Sequence, residues 1–510
     1  MPTFAAVDIG SNSVRIKVAR LVRHRLVTIH EDREVTRLGK SVFKNGMLTP
    51  SAMARTVEVL QRFHKAAQRK GAQVVRVVAT SALRDARNGS AFMEWVRSAT
   101  GWKVEIISGL EEGRLIHLGL LSNMRLGLSP VLMVDLGGGS CELTVSAAGH
   151  ILYTISLPLG AVRLTEEFLK HDPPTSKELR RLRSFIEKEM GRTARRILSF
   201  KPRVMIATSG TAAALAAVCS GVHRSTVRES MQDVPRAKAV KIAAKLAKLK
   251  VEQRTALSGI GPRRAEIVVA GSVVFAELLE KCHLRGFRYS PLGLRDGLLA
   301  QMAADYDQRT RSRRQIESDR WDALLATGKN YRVDPAHAQQ VRTLALDLFR
   351  RLRPVHNLPP EYAEWLSAAA MLHEVGIYIN RYGWHRHAHY VIANSEIFGY
   401  TAYERALIAA IARYLGNSRP TPAQKPMKLL RPADRIHASK AIVLLRLARA
   451  LNQSRRGLVS GVSAQIKGGK VRLVLRTKGR MDAELELWSL EKERSYFREI
   501  FGRELEAGLS

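Results

Sequence analysis

Two short segments of this 510-residue chain repeat one arrangement of chemical groups. Asp8-Ile9-Gly10-Ser11-Asn12-Ser13 and Asp135-Leu136-Gly137-Gly138-Gly139-Ser140 each set a carboxylate at a strand end, directly before a turn of small residues. Glycine lets such a turn approach an anion closely, and its backbone N–H groups and serine hydroxyls can donate to phosphate oxygens. An aspartate repels phosphate, but it can hold Mg2+, directly or through water, and the metal bridges the two. A third turn, Ser209-Gly210-Thr211, also follows a strand. One such turn is usually a plain hairpin; the three together point to a phosphate-binding cleft.

Other residues are chemically eligible. Glu111 and Glu112 follow the turn Ser108-Gly109 at a helix start, where acids also simply complement the helix dipole. Glu142 follows the glycine-rich turn inside a strand; it is either a site carboxylate or a solvent-facing strand position. Arg84, in ATSALRDARNG, reads as a phosphate clamp or as an ordinary surface arginine.

The elements that would carry these groups alternate in type. FAAVDI (4–9) and VRIKVARLV (14–22) read as strands, and Thr49-Pro50 opens a helix that Gly71 ends. A strand over 74–80, a helix over 90–100, a strand over 104–108 and a helix over 111–121 follow. The segment 131–146 then repeats strand, turn, strand, and VMIAT (204–208) leads through a tight turn into a helix. This alternation predicts an α/β architecture to about residue 300, with two similar lobes and a cleft to which each contributes a loop. Beyond about 305 amphipathic helices dominate, as in 341–352 and 440–451, after an arginine-rich linker or helix start at 309–314. A hairpin over 462–478 and a polar helix over 489–505 close the chain. The expected domains are 1–125, 126–305, 306–458 and 459–510.

Eighty-three Lys and Arg against 46 Asp and Glu leave a formal charge of +37. Such an excess suits a polyanionic partner, or a generally basic solvated surface. The three cysteines have neither disulfide-framework nor zinc spacing, which favours a reducing compartment. The first residues lack a signal-peptide pattern, and the uncharged stretch 204–223 contains a Thr-Ser-Gly-Thr turn, so strand, turn and buried helix fit it better than a membrane span. A cytoplasmic protein without a membrane partner is expected.

DIGSNS, ATSALRDARN, IISGLEEGRLIHLG, VDLGGGSCEL, SLPLGAVRL, ATSGTAAALA and SPLGLRDGLL occur in one order over residues 5–300. Together they resemble the exopolyphosphatase / guanosine pentaphosphate phosphatase (Ppx/GppA) family, built on the two-lobed actin/Hsp70/sugar-kinase (ribonuclease H-like) fold. The resemblance implies that Glu112 is the general base for the attacking water, and that Asp8, Asp135 and Glu142 bind Mg2+ or position that water. It assigns Ser11, Asn12 and Ser13 to one phosphate loop, Gly137, Gly138, Gly139 and Ser140 to the second, Gly210 and Thr211 to the third, and Arg84 to the phosphate side. Gly113 is a departure, since the family usually has Ala after the Glu pair; no functional group is lost. Like charge from bound phosphates would raise the pKa of such a base toward neutrality.

The helical region resembles the HD-like domain of the family's long members, followed by a small α+β tail. His337 and His373 fall where metal ligands are expected, but Glu374 replaces an Asp, and Arg449 and Asn452 replace the later acids. His385, His387 and His389 lie nearby without carboxylates, which gives a two-metal centre poor support. The reading implied is a Mg2+-dependent exopolyphosphatase, with guanosine pentaphosphate as the alternative substrate and a homodimer as the expected assembly. An ATPase or kinase of the same fold, or a non-catalytic polyphosphate- or nucleic-acid-binding protein, are the competing classes.

Overall fold

The computed structural model describes residues 1–124, 126–221, 232–307, 309–477 and 483–509. Residue 125 at the expected lobe boundary, residues 222–223 of the uncharged stretch and Lys478 at the end of the expected hairpin lie outside them. The chain forms two units, Met1–Asp319 and Arg320–Ser510.

The first unit contains two mixed sheets. In one, β1 (Thr3–Ile9), β2 (Ser13–Val22), β3 (Arg25–Val35), β4 (Val74–Ala79) and β5 (Val104–Ile106) lie in the order β3-β2-β1-β4-β5. β1, β2 and β3 form an antiparallel meander, while β4 and β5 extend from β1 in parallel. The other sheet contains β6 (Val131–Leu136), β7 (Cys141–Ala147), β8 (His150–Leu157), β9 (Val204–Thr208), β10 (Gln232–Pro235) and β11 (Gly286–Tyr289), ordered β10-β11-β9-β6-β7-β8. It repeats the first: β6, β7 and β8 form the meander, β9 and β11 extend in parallel, and β10 adds an antiparallel edge. This is the duplicated α/β topology of the actin-like ATPase fold.

Local chemistry explains these elements. β1 (TFAAVDI) is buried at every position, so an unbroken apolar run suits it. β3 was not expected, because its sequence RLVTIHEDREV is strongly charged; it is an edge strand with much of its surface exposed. The helix Pro50–Arg69 begins where Thr49 accepts a hydrogen bond from the Ala52 N–H at 3.3 Å, with Pro at its first position. The stretch around Val204 forms β9 and the helix Ser209–Ser220. Among the described residues no helix is long and apolar enough to cross a membrane.

The two sheets share an apolar seam. Phe4, Ala6 and Val78 from one and Val131, Met133 and Ile206 from the other pack with Leu115, Leu120, Leu298 and Met302. The last four belong to the helices Gly109–Asn123 and Leu294–Tyr306, which pack on each other. The seam therefore anchors the helix that carries Glu112.

In the second unit, helices from Pro335 to Ala450 share one apolar core with β12 (Val459–Lys467) and β13 (Lys470–Thr477). The arginine-rich segment after 309 starts a helix, Arg311–Asn330. The final helix runs Glu484–Phe501 rather than 489–505, because Gly502 adopts φ 64° and stops it. The residues beyond form β14 (Glu504–Leu509), parallel to β13.

Arg320 is a central polar tie of this unit. Its guanidinium contacts Glu364 at 2.7 Å and Glu404 at 3.2 Å, and its Nε donates to the Gly399 carbonyl at 2.9 Å. Arg320→Ala should destabilise this unit by about 3 kcal/mol, since two acids lose their shared cation. Urea unfolding followed by tryptophan fluorescence checks this, because Trp321, Trp365, Trp384 and Trp488 all lie in the second unit.

Candidate active site

The duplicated loops have the same internal geometry. Gly10 N–H donates to the Ser13 carbonyl at 3.2 Å, and Gly137 N–H to the Ser140 carbonyl at 3.0 Å. Other loop carbonyls are tied from behind: Asn12 and Ser11 accept from Arg37 and Gly39 N–H, and Gly137 and Gly138 from Ala161 and Val162 N–H. With those acceptors occupied elsewhere, donors dominate what the loops can offer a ligand. The duplication also diverges at one place. Asp8 lies opposite Arg15 in β1–β2, whereas Asp135 lies opposite Glu142 in β6–β7.

Asp8, Ser11, Asn12, Ser13, Glu112, Asp135, Gly137, Gly138, Ser140 and Gly210 line one cleft, together with Arg15, Ser81, Ser209 and Arg264. The buried Asn12 Nδ2 and Ser209 Oγ have no hydrogen-bond partner, as befits groups waiting for an anion. Ser209 adopts φ 80°, an uncommon conformation for a non-glycine residue, at the start of the helix Ser209–Ser220. That helix N-terminus, at the cleft wall, favours negative charge.

Four of the expected residues sit behind the cleft wall. Gly139 packs on Phe43 and Ser81, where a Cβ would fall 2.3 Å from the Phe43 ring. Thr211 is fully buried and accepts from Arg264 Nη1 at 3.3 Å. Arg84 donates to the Ile107 carbonyl at 2.7 Å and reaches Glu112 Oε2 at 3.4 Å, so it is tied to the backbone beside the carboxylate. Glu142, 2 % exposed, accepts from Ser156 Oγ at 2.8 Å beneath the cleft floor.

Glu112, Asp135 and Glu142 each bring a carboxylate oxygen within 4.8 Å of the other two. Asp8 lines the same cleft but lies outside that group. The approach depends on missing side chains. The helix Gly109–Asn123 is capped by Ser108, which accepts from Glu111 N–H at 3.1 Å, and lies against β7 and β8. At Gly109 a Cβ would meet Ser156 Oγ at 2.3 Å; at Gly113 it would meet the paired hydroxyls of Thr154 and Thr144 at 2.9 and 3.0 Å. Gly113 is therefore a close-packing position beside the carboxylates.

Crowding and burial set the protonation of the group. Burial, then the neighbouring Glu142, drive Glu112 well above the usual carboxylate range, with Arg84 opposing. Burial and Asp135 push Glu142 to about 7, against hydrogen bonds from Ser140 and Ser156. Burial also raises Asp135, although Thr208 Oγ1 donates to it, and raises Asp8, against Arg15. Burial is the first cause throughout. Two buried carboxylates and the half-buried Asp135, with an unpartnered acceptor at Glu142 Oε2, are an oxygen donor set of the kind that suits a hard divalent cation.

The second unit holds another cluster, His337, His373 and Glu374. His373 Nδ1 donates to the Ala370 carbonyl at 2.7 Å, leaving Nε2 a free lone pair. At His337 the order is reversed. Asn452 Oδ1 accepts from Gly457 N–H at 3.0 Å, so its amide nitrogen donates to His337 Nδ1 and the proton sits on Nε2. Arg455 pairs with Glu374. A protonated Nε2 and a neighbouring guanidinium make the triad a poor cation site.

Sequence reading did not single out Arg15, Ser156 or Arg264, and it gave Thr208 and Ser209 only as members of the third turn. Arg15 was discoverable as the counterpart of Glu142 in the duplicated segment; Arg264 arrives from a distant loop with no local signal.

A group whose pKa is raised on folding gives stability that is present below its unfolded value and lost as pH rises through the folded value. Without divalent cation, the contribution of Glu142 should therefore fade between about pH 4.5 and 7. Glu142→Gln should then be more stable than the parent at pH 8 by about 3 kcal/mol. Added Mg2+ should raise the melting temperature of the parent more than that of the variant; scanning calorimetry with and without chelator reads both.

Residues 17–305 match the profile of the Ppx/GppA phosphatase family, and residues 320–494 that of Ppx/GppA phosphatase, domain III. Exopolyphosphatase 2 of Mycobacterium tuberculosis is 31% identical over 291 residues, 55% of this chain and 91% of that protein. A crystal structure of the Aquifex aeolicus Ppx/GppA family member aligns with TM-score 0.50 and 30% identity, over 60% of this chain and 99% of that one. The exopolyphosphatase of Cytophaga hutchinsonii, 23% identical, shares the fold over 59% of this chain and 98% of its own, with TM-score 0.57. The two profiles together with the Mycobacterium relative place this chain in the Ppx/GppA phosphatase family.

Proposed function

We propose that the protein is an exopolyphosphatase, which hydrolyses the terminal phosphoanhydride of inorganic polyphosphate and releases orthophosphate. The observation that carries this reading is Glu112, a buried carboxylate with a raised pKa, at a cleft lined by two donor-rich loops and a helix N-terminus. Phosphoanhydride cleavage requires charge neutralisation, alignment and a base, and little covalent work from the protein.

Ser11, Asn12, Ser13, Gly137, Gly138, Ser140 and Gly210 supply the donors that hold the terminal phosphoryl group, with Arg15 and Arg264 adding positive charge. Gly139 and Thr211 support this shell from behind. Glu112 takes the proton of the attacking water; its raised pKa makes it the stronger base. Arg84 orients Glu112 and favours its ionised form. Asp135 and Glu142, with Asp8 across the cleft, would hold Mg2+. When bound, that ion neutralises phosphate charge and lowers the pKa of the carboxylates around it.

A cavity of about 360 Å3 adjoins the cleft, lined by Arg15, Lys17, Arg33, Arg263, Arg295 and Tyr289 among others. Its size and its aromatic residue favour guanosine pentaphosphate as the second reading. The net charge favours the longer polyanion.

Orthophosphate release with Mg2+ from long-chain polyphosphate, guanosine pentaphosphate and ATP, at equal terminal-group concentration, decides among these. Polyphosphate should be fastest; faster release from the guanosine nucleotide establishes the second reading, and ATP turnover equal to polyphosphate turnover overturns both. Glu112→Gln should lower kcat by about 10²–10⁴-fold with substrate binding retained. Unchanged turnover in that variant removes Glu112 from its role. The pH profile of the parent should fall on the acid side as Glu112 gains its proton.

A further inference from the structure

The helix Arg236–Lys248, with the sequence RAKAVKIAAKLAK, contains no acidic residue. Lys238, Lys241, Lys245 and Lys248 follow spacings of three, four and three, which set them in one row on the helix surface. All four are exposed, while Ala239, Ala243, Leu246 and Ala247 form the buried face opposite. None of the four has an ion-pair partner among the described residues. Elsewhere in this unit some cations do pair across helices, Arg183 with Glu277 and Lys281 with Glu187. An unneutralised row of like charge costs some stability, and on an exposed surface it condenses mobile anions.

The row also has a direction. β9 ends beside the cleft at Thr208, and β11 runs parallel to it. β10 is antiparallel to β11, so it leaves the cleft end and reaches Pro235 at the far end of the sheet. The helix begins there and returns. Its last lysine is three residues from Val251, which lines a pocket with Arg254 and Glu266. The neighbour of Glu266, Ile267, lines the cleft, and Arg263 lines the adjoining cavity. The row spans about 15 Å between Lys238 and Lys248 and is aimed at the cleft rim.

We propose that this lysine row is a distal anchor for inorganic polyphosphate, holding phosphates remote from the terminal group that the cleft binds. The inference rests on the polyphosphate reading of the cleft. A regular row of compact ammonium groups suits a flexible, evenly charged polymer, for which no base or sugar needs to be read. A short substrate filling only the cleft would not reach it.

The test compares the full chain with the quadruple variant K238A/K241A/K245A/K248A and with the corresponding Lys→Arg variant. Alanine at exposed helical positions preserves the helix. Binding of end-labelled long-chain polyphosphate and of tripolyphosphate is measured against salt, alongside orthophosphate release from both. For the long chain, the alanine variant should show about tenfold weaker binding at moderate salt and a log–log salt slope smaller by about 3, at about 0.7 per phosphate contact. Its affinity and turnover for tripolyphosphate should equal those of the parent, and the arginine variant should behave as the parent does. An unchanged long-chain slope in the alanine variant overturns the anchor, as does loss of RNA binding with polyphosphate binding intact. If the parent binds long polyphosphate through the row but releases no orthophosphate, the catalytic reading fails while the anchor stands.

Discussion

Like charge held at short range, away from water, is the constraint on which the site depends. Glu112, Asp135 and Glu142 crowd within 4.8 Å, and burial makes their ionised forms costly. Such a group is stable either with protons on it or with a cation in it. Arg84 offsets part of the repulsion at Glu112, Thr208 donates to Asp135, and Ser156 donates to Glu142. These partners determine where each acid points. Each also comes from a different element, so the acids are positioned only when the surrounding fold is complete.

The scaffold meets this constraint by placing two copies of one loop face to face and letting them diverge. Both copies keep the Asp, the glycine turn and the serine, and both tie loop carbonyls to backbone behind them. Opposite the Asp, one copy carries Arg15 and the other Glu142. One loop thereby presents a cation near the anion site and the other an additional acid. The helix bearing Glu112 then closes the gap, and it comes close because Gly109 and Gly113 leave room for the hydroxyls of β7 and β8. Its other flank is fixed by the apolar seam between the sheets. A polar group that must remain accurately placed thus rests on tightly packed apolar support.

Parts of this architecture were legible from local pattern. The apolar run of β1, the Thr-Pro start and Gly stop of the helix at residue 50, and the repeated Asp-x-Gly turns depend on nearby residues alone. β3 was not legible because a solvated edge strand tolerates a charged sequence. The end of the last helix was misjudged because its polar pattern continues past Gly502, where the left-handed backbone stops it and β13 recruits the remainder. At the site, Arg84 read as a phosphate clamp or a surface arginine; in the fold it donates to the Ile107 carbonyl and reaches Glu112. Sequence supplied the residue type; only packing could decide which acceptor lay within its reach.

By itself, then, the sequence determined which chemical groups exist, their order, and the duplicated turns that present them, since turn formation and helix capping are settled over a few residues. Tertiary structure alone decided that Glu112 meets Asp135 and Glu142, that Arg264 reaches Thr211, and that Asn452 fixes the proton on His337. It also decided how far each carboxylate is driven from its ordinary pKa. The reason is physical: charge interactions and desolvation depend on distance and burial through space, and neither is encoded by neighbours along the chain.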